Sequence, residues 1–395
     1  MQWHGFRLSS IVRRAEIGTL ALIVLTLTLA SILYLLFAIN RVVAFRQRRD
    51  MVGVHQQPVT VLKPVCGLEP DLYENLSSFC KQEYSAYQVV FGVRDSNDPA
   101  IAVIKHVMSE FPERDLALVI DDRIIGTNLK ISNLANMYHA VKYDTLVIAD
   151  SDMYVGQDYL KAVVAPFEDS RMGAVTCLYK GAAVGRLPSV LGAMFINDWF
   201  VPSVLVALAF QPLRFCFGAT MAVRRDALES IGGFAALVDH IADDHMLGKM
   251  VSALGFKVHL SSYVVENKVL EPSFKALFYH ELRWARTIRS LQPVGYAFSF
   301  VTNGLPLALL LLWISPNMTL SLALLASVVL LRILLHYKTH ASLRAPGPAM
   351  PWLTPVRDLL CFVVWVASFM GREVRWREQK LYIQSDGHMT VKRSI

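Results

Sequence analysis

The chain has 395 residues, of which 54% are hydrophobic and only 18% are charged. Soluble domains carry about a quarter charged residues, so this composition excludes a wholly water-soluble protein. The net charge of +7 does not indicate nucleic acid, because basic residues such as Arg41, Arg46 and Arg372 flank apolar stretches. That distribution is typical of attraction to a membrane surface.

The first element is an apolar run from Gly18 to Asn40. It has about the twenty residues that a spanning helix needs, and it lacks the cleavage site of a secretory signal. The sequence therefore predicts an N-terminal anchor with basic flanks over residues 1–50. Residues 51–290 have the composition of one mixed α/β domain.

Three further apolar stretches predict C-terminal membrane helices over residues 291–371, followed by a basic tail over 372–395. The stretches are Tyr296–Ile314, Met318–Tyr337 and Leu359–Gly371. The first two should form a tight helical hairpin, because only three residues join them. The third is short for a span, and we expect it not to cross.

Short apolar runs alternate with amphipathic helical segments through the central domain, which predicts a mostly parallel sheet of Rossmann-like type. The predicted strands are 59–62, 89–93, 116–120, 145–149, 174–178, 220–223 and 257–260. The predicted helices between the first four strands are 71–79, a segment through 101–107, and 128–140.

Asp150 and Asp152 follow a buried β-type run directly. Open α/β sheets bind ligands at the carboxyl ends of their strands. Mg²⁺ or Mn²⁺ is commonly held there by one or two carboxylates and by phosphate oxygens. The pair therefore predicts a metal and diphosphate site, although Asp-Ser-Asp is also a good turn sequence.

Asp95 follows the second predicted strand and should lie at the same edge of the sheet. From there its carboxylate could accept hydrogen bonds from the base or ribose of a nucleotide. The alternative is that Asp95 caps the helix that follows Pro99.

Asp243 and Asp244 begin a helical run over 239–254. One carboxylate can stabilise the helix by interacting with the positive end of its dipole, and the other is then available for chemistry. Asp244 is our candidate general base, which must stay ionised near neutral pH, and Asp243 is its structural partner.

A predicted helix before the next span carries Arg283, Trp284, Arg286 and Arg289. Guanidinium groups can stabilise a departing diphosphate, and an indole can stack on a sugar or lie at a membrane interface. We predict catalytic support for Arg283 and Trp284, whereas the other two arginines also fit lipid headgroups. The apolar segment 190–210 could lie on the membrane and admit a lipid hydroxyl, or it could be a buried core helix.

Together these motifs, in this order, resemble the ceramide glucosyltransferase family, and the resemblance runs from about Val59 to about Arg289. The matching segments are Lys63-Pro64-Val65-Cys66-Gly67, Val93-Arg94-Asp95-Ser96-Asn97-Asp98-Pro99, Ala149-Asp150-Ser151-Asp152, Ile241-Ala242-Asp243-Asp244 and Arg283-Trp284. One departure is His280, which stands where the family usually has Gln or Arg, separated by two variable residues from Arg-Trp.

The resemblance implies a GT-A catalytic domain anchored in a membrane and an inverting transfer of sugar from a UDP-sugar to a lipid. It implies that Lys63, Asn128 and Lys130 join Asp95 and Asp150 around the donor, with Mg²⁺ or Mn²⁺ on Asp150 and Asp152. Segments 195–203 and 280–287 look most like the bacterial hopanoid branch, which implies N-acetylglucosamine transfer to bacteriohopanetetrol. The alternative is glucose transfer from UDP-glucose to ceramide.

The hopanoid interpretation predicts a bacterial inner-membrane protein with a cytoplasmic catalytic domain, where nucleotide sugars are made. The five scattered cysteines show no metal-binding spacing and suit a reducing compartment. Two rival hypotheses are a processive polysaccharide synthase with the same core and a membrane scaffold that has lost catalysis. A synthase needs more spans than this chain offers, and a scaffold has no use for clustered carboxylates.

Overall fold

The computed structural model describes residues 3–48, 56–376, 379–384 and 387–391. The rest of the predicted anchor and tail, at 1–2, 49–50, 377–378, 385–386 and 392–395, lies outside the described residues. The strands are β1 Val59–Pro64, β2 Tyr87–Val93, β3 Asp115–Ile120, β4 Thr145–Ile148, β5 Met153–Tyr154, β6 Met172–Ala183, β7 Met221–Arg224, β8 Lys257–Val269, β9 Glu373–Trp376, β10 Gln379–Ile383 and β11 Met389–Val391. The helices are α1 Trp3–Gln47, α2 Leu72–Cys80, α3 Ala100–Glu110, α4 Leu129–Met137, α5 Tyr159–Val164, α6 Leu187–Phe195, α7 Val201–Ala207, α8 Arg225–Ser230, α9 Asp243–Ala253, α10 Phe274–Leu291, α11 Pro293–Phe298, α12 Gly304–Ile314, α13 Met318–Leu343 and α14 Thr354–Ser368.

Eight strands form one sheet in the order β3-β2-β1-β4-β7-β6-β8-β5. Strands β3, β2, β1 and β4 are parallel, as are β6 and β8, while β7 runs antiparallel to both of its neighbours. The prediction of a mostly parallel α/β sheet is therefore confirmed. In register, Leu62 of β1 lies beside Ile148 of β4, so Lys63 and Asp150 follow at the same edge.

Both faces of β1, β2 and β4 are buried, as their near-continuous apolar sequences require, whereas β3 at the edge is partly exposed. Alternate residues point to opposite faces. Val61 therefore joins the core formed with α2, α3 and α5, while Leu62 joins the core formed with α4, α8 and α9. These two cores hold the strand ends in place at the edge where the acidic residues lie.

Strands β6 and β8 are far longer than the predicted 174–178 and 257–260. The second half of β8 carries polar residues that interrupt its apolar alternation, yet it pairs with β6 as far as Val269. Its polar side chains have partners that are distant in the sequence; Glu266 of β8, for example, pairs with Lys180 of β6 at 3.5 Å. This extension brings the end of β8 to the same edge as Asp152.

In the part of the chain that the structure describes, three helical segments are long and apolar enough to cross a membrane. They are Gly18–Gln47 within α1, Met318–Leu343 and the continuous run Leu187–Ala207, in which a π-helical turn joins α6 to α7. That third run is half buried. The amide of Asn197 both donates to and accepts from the backbone of Gly181 in β6, at 3.1 and 2.9 Å, so this face of the predicted 190–210 segment packs on the sheet.

The prediction that Tyr296–Ile314 forms one helix of a hairpin is wrong. Residues 299–303 break it into α11 and α12, and the two resulting helical pieces meet at 62°. The polar residues Ser299, Thr302 and Asn303 disfavour a continuous helix, since their side chains compete for backbone groups. Helix α14 has 15 residues, fewer than the about 20 that a span requires.

The described part of the predicted basic tail forms a second, three-stranded antiparallel sheet in the order β11-β10-β9. Its apolar residues pack on Ile241, just before α9, and are Val374, Leu381, Ile383 and Met389. These strands were not predicted, because each is short and has charged neighbours in the sequence. The tail therefore contacts the catalytic domain.

Candidate active site

The edge of the sheet is organised by Lys63, at the end of β1. Its ammonium donates to the backbone oxygen of Asp150 at 2.5 Å and lies 3.9 Å from the centre of the Phe79 ring. The side chain is fully buried, and burial lowers the pKa of Lys63 to about 7 against the attraction of Asp152 and Asp150. Lys63, predicted to bind the donor, instead holds the backbone of Asp150, because its ammonium is enclosed by the core.

Asp150 lies within an ion-paired cluster. One of its oxygens is 2.7 Å from the Lys130 ammonium, which also lies 3.3 Å from Asp243. Burial opposes the charge on Lys130, but the neighbouring carboxylates outweigh it and raise the pKa of Lys130 well above its usual value. The ammonium thus stays charged beside Asp150, as the donor-side prediction for Lys130 requires.

Asp152 faces the end of β8, where the Asn267 amide donates to its carboxylate at 2.7 Å. Burial, with the nearby charges of Asp150 and Glu69, raises the pKa of Asp152 to about 7. The described residues contain no group of three or more His, Cys, Asp and Glu placed to hold a metal ion. Asp150 and Asp152 still suit a hard cation, since their crowded charges would be relieved by one and diphosphate oxygens would complete its ligands.

Asp244 faces the same space as Asp150. A Cβ at Gly218, just before β7, would lie 3.3 Å from an oxygen of Asp244 and 3.6 Å from an oxygen of Asp150. Burial and the adjacent Asp243 raise the pKa of Asp244 to about 6, against the effect of Lys130. A glycine here leaves open a gap between the two carboxylates, and Asp244 is a suitable proton acceptor near neutral pH.

Helix α10 brings Arg283 to this space. Burial lowers the pKa of Arg283, while the charges of Glu271, Asp150 and Asp244 act in the opposite direction. The guanidinium is therefore within electrostatic reach of both site carboxylates. Trp284 lies one residue further, packed against Phe195 with ring centres 5.7 Å apart.

Asn128, a predicted donor residue, makes its hydrogen bonds within the protein. Asn128 is fully buried at the N-terminus of α4, where its side-chain oxygen accepts from the backbone of Lys130 at 3.0 Å. Its amide donates to His240 at 2.9 Å and to Asp243 at 3.3 Å. In this structure the polar atoms of Asn128 are used within the protein, where they position Lys130 and Asp243, and donor contact by Asn128 stays a prediction.

Asp95 remains exposed at the end of β2 and accepts from the backbone of Asn97 at 2.8 Å. Capping of α3 falls to Asp98, which accepts from Ala100 at 2.9 Å and from Gly67 at 2.8 Å. The capping alternative thus applies to Asp98 and not to Asp95, whose carboxylate stays open to a ligand.

Arg286 and Arg289 bind protein. Arg286 donates to Met370 at 2.5 Å and to Glu373, and Arg289 donates to Gly371 at 2.6 Å. The last carbonyls of a helix lack internal partners, and these arginines satisfy the carbonyls that follow α14. The interpretation as lipid-headgroup ligands is therefore replaced by a contact between α10 and the C-terminal segment.

Sequence reasoning missed Glu69, Gly218, Asn267 and Glu271 at the site. Gly218 lies just before a predicted strand. A glycine at that position was the one sequence signal that could have indicated a close approach at the end of the strand. Asn267 and Glu271 follow the predicted β8 by several residues, and only the longer strand brings them to Asp152.

An edge of this kind on a mostly parallel sheet, with Asp150 after β4 and an acid at the start of α9, defines a glycosyltransferase of the GT-A fold. The fold is similar to that of a mannosyltransferase, PcManGT from Pyrobaculum calidifontis, solved in complex with GDP-Man and Mn²⁺. That similarity has a TM-score of 0.55 at 20% identity and covers 89% of this chain and 99% of that one.

The chain belongs to glycosyl transferase family 21, whose model matches residues 23–389. Ceramide glucosyltransferase 3 of Caenorhabditis elegans is 25% identical over 239 residues, 60% of this chain and 51% of that protein. Ceramide glucosyltransferase 1 of the same organism is 23% identical over 255 residues, 63% of this chain and 54% of that protein. The chain spans about half the length of these two relatives.

Proposed function

We propose that this protein transfers a hexose from a UDP-sugar to a hydroxyl group of a membrane lipid, with inversion at the anomeric carbon. The observation that carries the proposal is that Asp150 and Asp244 both border the space at Gly218, with the Arg283 charge within electrostatic reach of both carboxylates. A carboxylate base, a diphosphate-facing carboxylate and a guanidinium are the groups that such a displacement needs.

In this mechanism Asp244 takes the proton of the lipid hydroxyl as its oxygen attacks the anomeric carbon. The bond between that carbon and the diphosphate oxygen breaks, and UDP leaves. Arg283 and Lys130 hold positive charge near the diphosphate. Mg²⁺ or Mn²⁺ held by Asp150 and Asp152 would supply further charge neutralisation for the leaving UDP.

For the substrates, we propose UDP-glucose and ceramide. The support is the set of relatives named ceramide glucosyltransferases, which includes that of Gibberella zeae, 30% identical over 155 residues, 37% of this chain and 29% of that protein. These relatives favour ceramide over our first interpretation, N-acetylglucosamine and a hopanoid, which rests only on the local resemblance of segments 195–203 and 280–287.

We further propose that the chain is embedded in a membrane with its catalytic domain on the cytoplasmic side. The three long apolar segments support membrane embedding, and the cytoplasmic supply of UDP-sugars supports the orientation. Labelling of Cys66, which is exposed on the catalytic domain, by a membrane-impermeant thiol reagent in intact and in opened cells tests it. Labelling in intact cells would contradict this orientation.

The function is tested by mass spectrometry of lipid products. Membranes containing the protein receive UDP-glucose and UDP-N-acetylglucosamine with ceramide and bacteriohopanetetrol, beside membranes containing the Asp244→Asn variant. We expect hexosylceramide that is absent with the variant. An N-acetylhexosaminyl hopanoid would restore the hopanoid interpretation, a polymer would support a polysaccharide synthase, and absence of UDP-sugar binding would support a scaffold.

A further inference from the structure

A cavity of about 290 Å³ adjoins the site on the side away from β3. Asp152 and Asn267 line it, together with residues of α6, α10 and the end of β8. The cavity thus begins beside the carboxylate pair and extends toward α6, which belongs to one of the three segments apolar enough to cross a membrane.

One wall of the cavity is apolar. It is formed by Ile196, Leu277 and Trp284, and by Gly192 of α6. A Cβ at Gly192 would lie 3.0 Å from Val269 and 3.3 Å from Leu277, so the glycine lets α6 approach the end of β8 closely. This wall suits the beginning of an alkyl chain.

The rest of the lining is rich in hydrogen-bond acceptors. It carries Glu69, Asp152, Glu271 and His280. The basic residue in the lining, Lys268, is paired with Glu266 at 3.0 Å and with Asp71 at 3.7 Å. An anionic headgroup would therefore meet like charges, whereas a headgroup with several hydroxyl or amide donors would be complementary.

His280 is fixed by Glu271. Its Nδ1 lies 2.6 Å from the Glu271 carboxylate, whose side chain is only 7% exposed, while His280 is 37% exposed. A carboxylate accepts and does not donate, so Nδ1 carries a hydrogen, and in the neutral form of the ring this arrangement makes Nε2 an acceptor. The His280 ring also packs edge-on against Trp284, with ring centres 4.4 Å apart, which limits its rotation.

We propose that this cavity receives the headgroup of the lipid acceptor and that His280, held by Glu271, accepts a hydrogen bond from a second hydroxyl of that headgroup. The inference rests on the proposed function and adds to it a residue that selects the acceptor. Gln also offers an acceptor oxygen, so part of this selectivity should survive in a His280→Gln variant.

The test compares lipid acceptors in phosphatidylcholine vesicles with the unaltered protein and with His280→Leu, His280→Gln and His106→Gln. His106 is an exposed histidine of α3, far along the chain from the cavity, and serves as the matched control. The acceptors are ceramide and 3-deoxyceramide, or bacteriohopanetetrol and a hopanoid with one terminal hydroxyl if the product experiment selects hopanoids.

We expect the unaltered protein to prefer the acceptor with the second hydroxyl. His280→Leu should raise the KM for that acceptor about tenfold, the effect of one lost hydrogen bond, and abolish the preference, with the KM for UDP-sugar unchanged. His280→Gln should keep part of the preference, and His106→Gln all of it. If His280→Leu keeps the preference, or raises the KM for the acceptor and the KM for UDP-sugar equally, the inference alone is overturned. If the unaltered protein transfers sugar to none of these lipids, the proposed function is overturned and the inference with it.

Discussion

Asp244 is placed to act as the general base, and its removal should separate chemistry from binding. In Asp244→Asn we expect UDP-sugar binding within about twofold of the original and transfer reduced by about three orders of magnitude, within the usual contribution of a positioned base. Titration calorimetry with UDP and product formation in vesicles measure the two effects. Turnover near the original rate would remove Asp244 from this role.

The pH dependence follows from the same carboxylate. Because burial and Asp243 raise the pKa of Asp244 to about 6, its base form is present above that pH and is lost as the pH falls through it. We expect kcat/KM to rise between pH 5 and 7 with a midpoint about 6. A midpoint about 4, the value for an ordinary carboxyl, would contradict the placement of Asp244 in a buried site.

Gly218 keeps the space between Asp150 and Asp244 open. A methyl group there would contact both carboxylates, at 3.6 and 3.3 Å, and would occupy space needed by the donor. We expect Gly218→Ala to weaken UDP-sugar binding by roughly 5- to 100-fold, the equivalent of about 1–3 kcal/mol of overpacking, with unchanged thermal unfolding. Gly295→Ala, whose methyl would meet only Gln292 at 3.8 Å, is the matched control and should bind normally.

At the scale of elements, buried ion pairs fasten the C-terminal helices to the catalytic domain. Arg357 of α14 is completely buried and pairs through two hydrogen bonds, of 2.7 and 2.6 Å, with Glu281 of α10. Arg332 of α13 pairs with Asp358 of α14 at 2.6 Å. Helices α10, α13 and α14 are thus connected by contacts that tolerate little displacement.

Removal of one partner should destabilise this junction strongly. In Arg357→Met the Glu281 carboxylate stays buried without its cation, which costs about 3–5 kcal/mol, and thermal unfolding in detergent should move to a clearly lower temperature. Glu281→Leu in the same chain should restore much of the loss. Lys142→Met is the control, because its pair with Asp115 is exposed and such pairs contribute about 1 kcal/mol or less.

The sequence predicted elements best where local pattern decides them. The apolar runs of β1, β2 and β4 were predicted where the structure has strands, since each is buried on both faces, and Asp95 and Asp150 follow β2 and β4. The second half of β8 was missed because its polar side chains are satisfied only by residues far along the chain, as Asn267 is by Asp152. The buried roles of Lys63 and Asn128 were missed for a related reason: a motif shows which residues stand together and not which way they point.

At the scale of the whole molecule, the C-terminal sheet supports the loop that leads into α9. Backbone bonds join Met389 to Asp239 at 2.8 Å and Ile241 to Gly387 at 3.2 Å, a few residues before Asp244. The His240 and His388 rings lie 4.1 Å apart. The last strands of the chain therefore help to place the base.

Truncation before Glu373 should lower kcat about 10- to 100-fold, as small displacements of catalytic groups do, while UDP binding through the parallel strands is retained. Leu381→Ala, a change at a residue only 1% exposed, should give a smaller loss in the same direction. Vesicle assays and titration calorimetry measure both variants. Full activity of a truncated chain that binds UDP would show that the sheet has no such role.

Helix α10 contributes side chains both to the carboxylate site and to the cavity, and this division bears on how such a protein can evolve. Arg283 belongs with the carboxylates of β4 and α9, whereas His280 and Trp284 close the cavity against α6. Of the groups that we propose to face the sugar donor, Asp152 lines the cavity, whereas Asp150, Asp244 and Arg283 are not among its lining residues. We therefore expect descendants of this chain to exchange one lipid for another through substitutions on α6, α10 and the end of β8, with the sugar donor inherited unchanged.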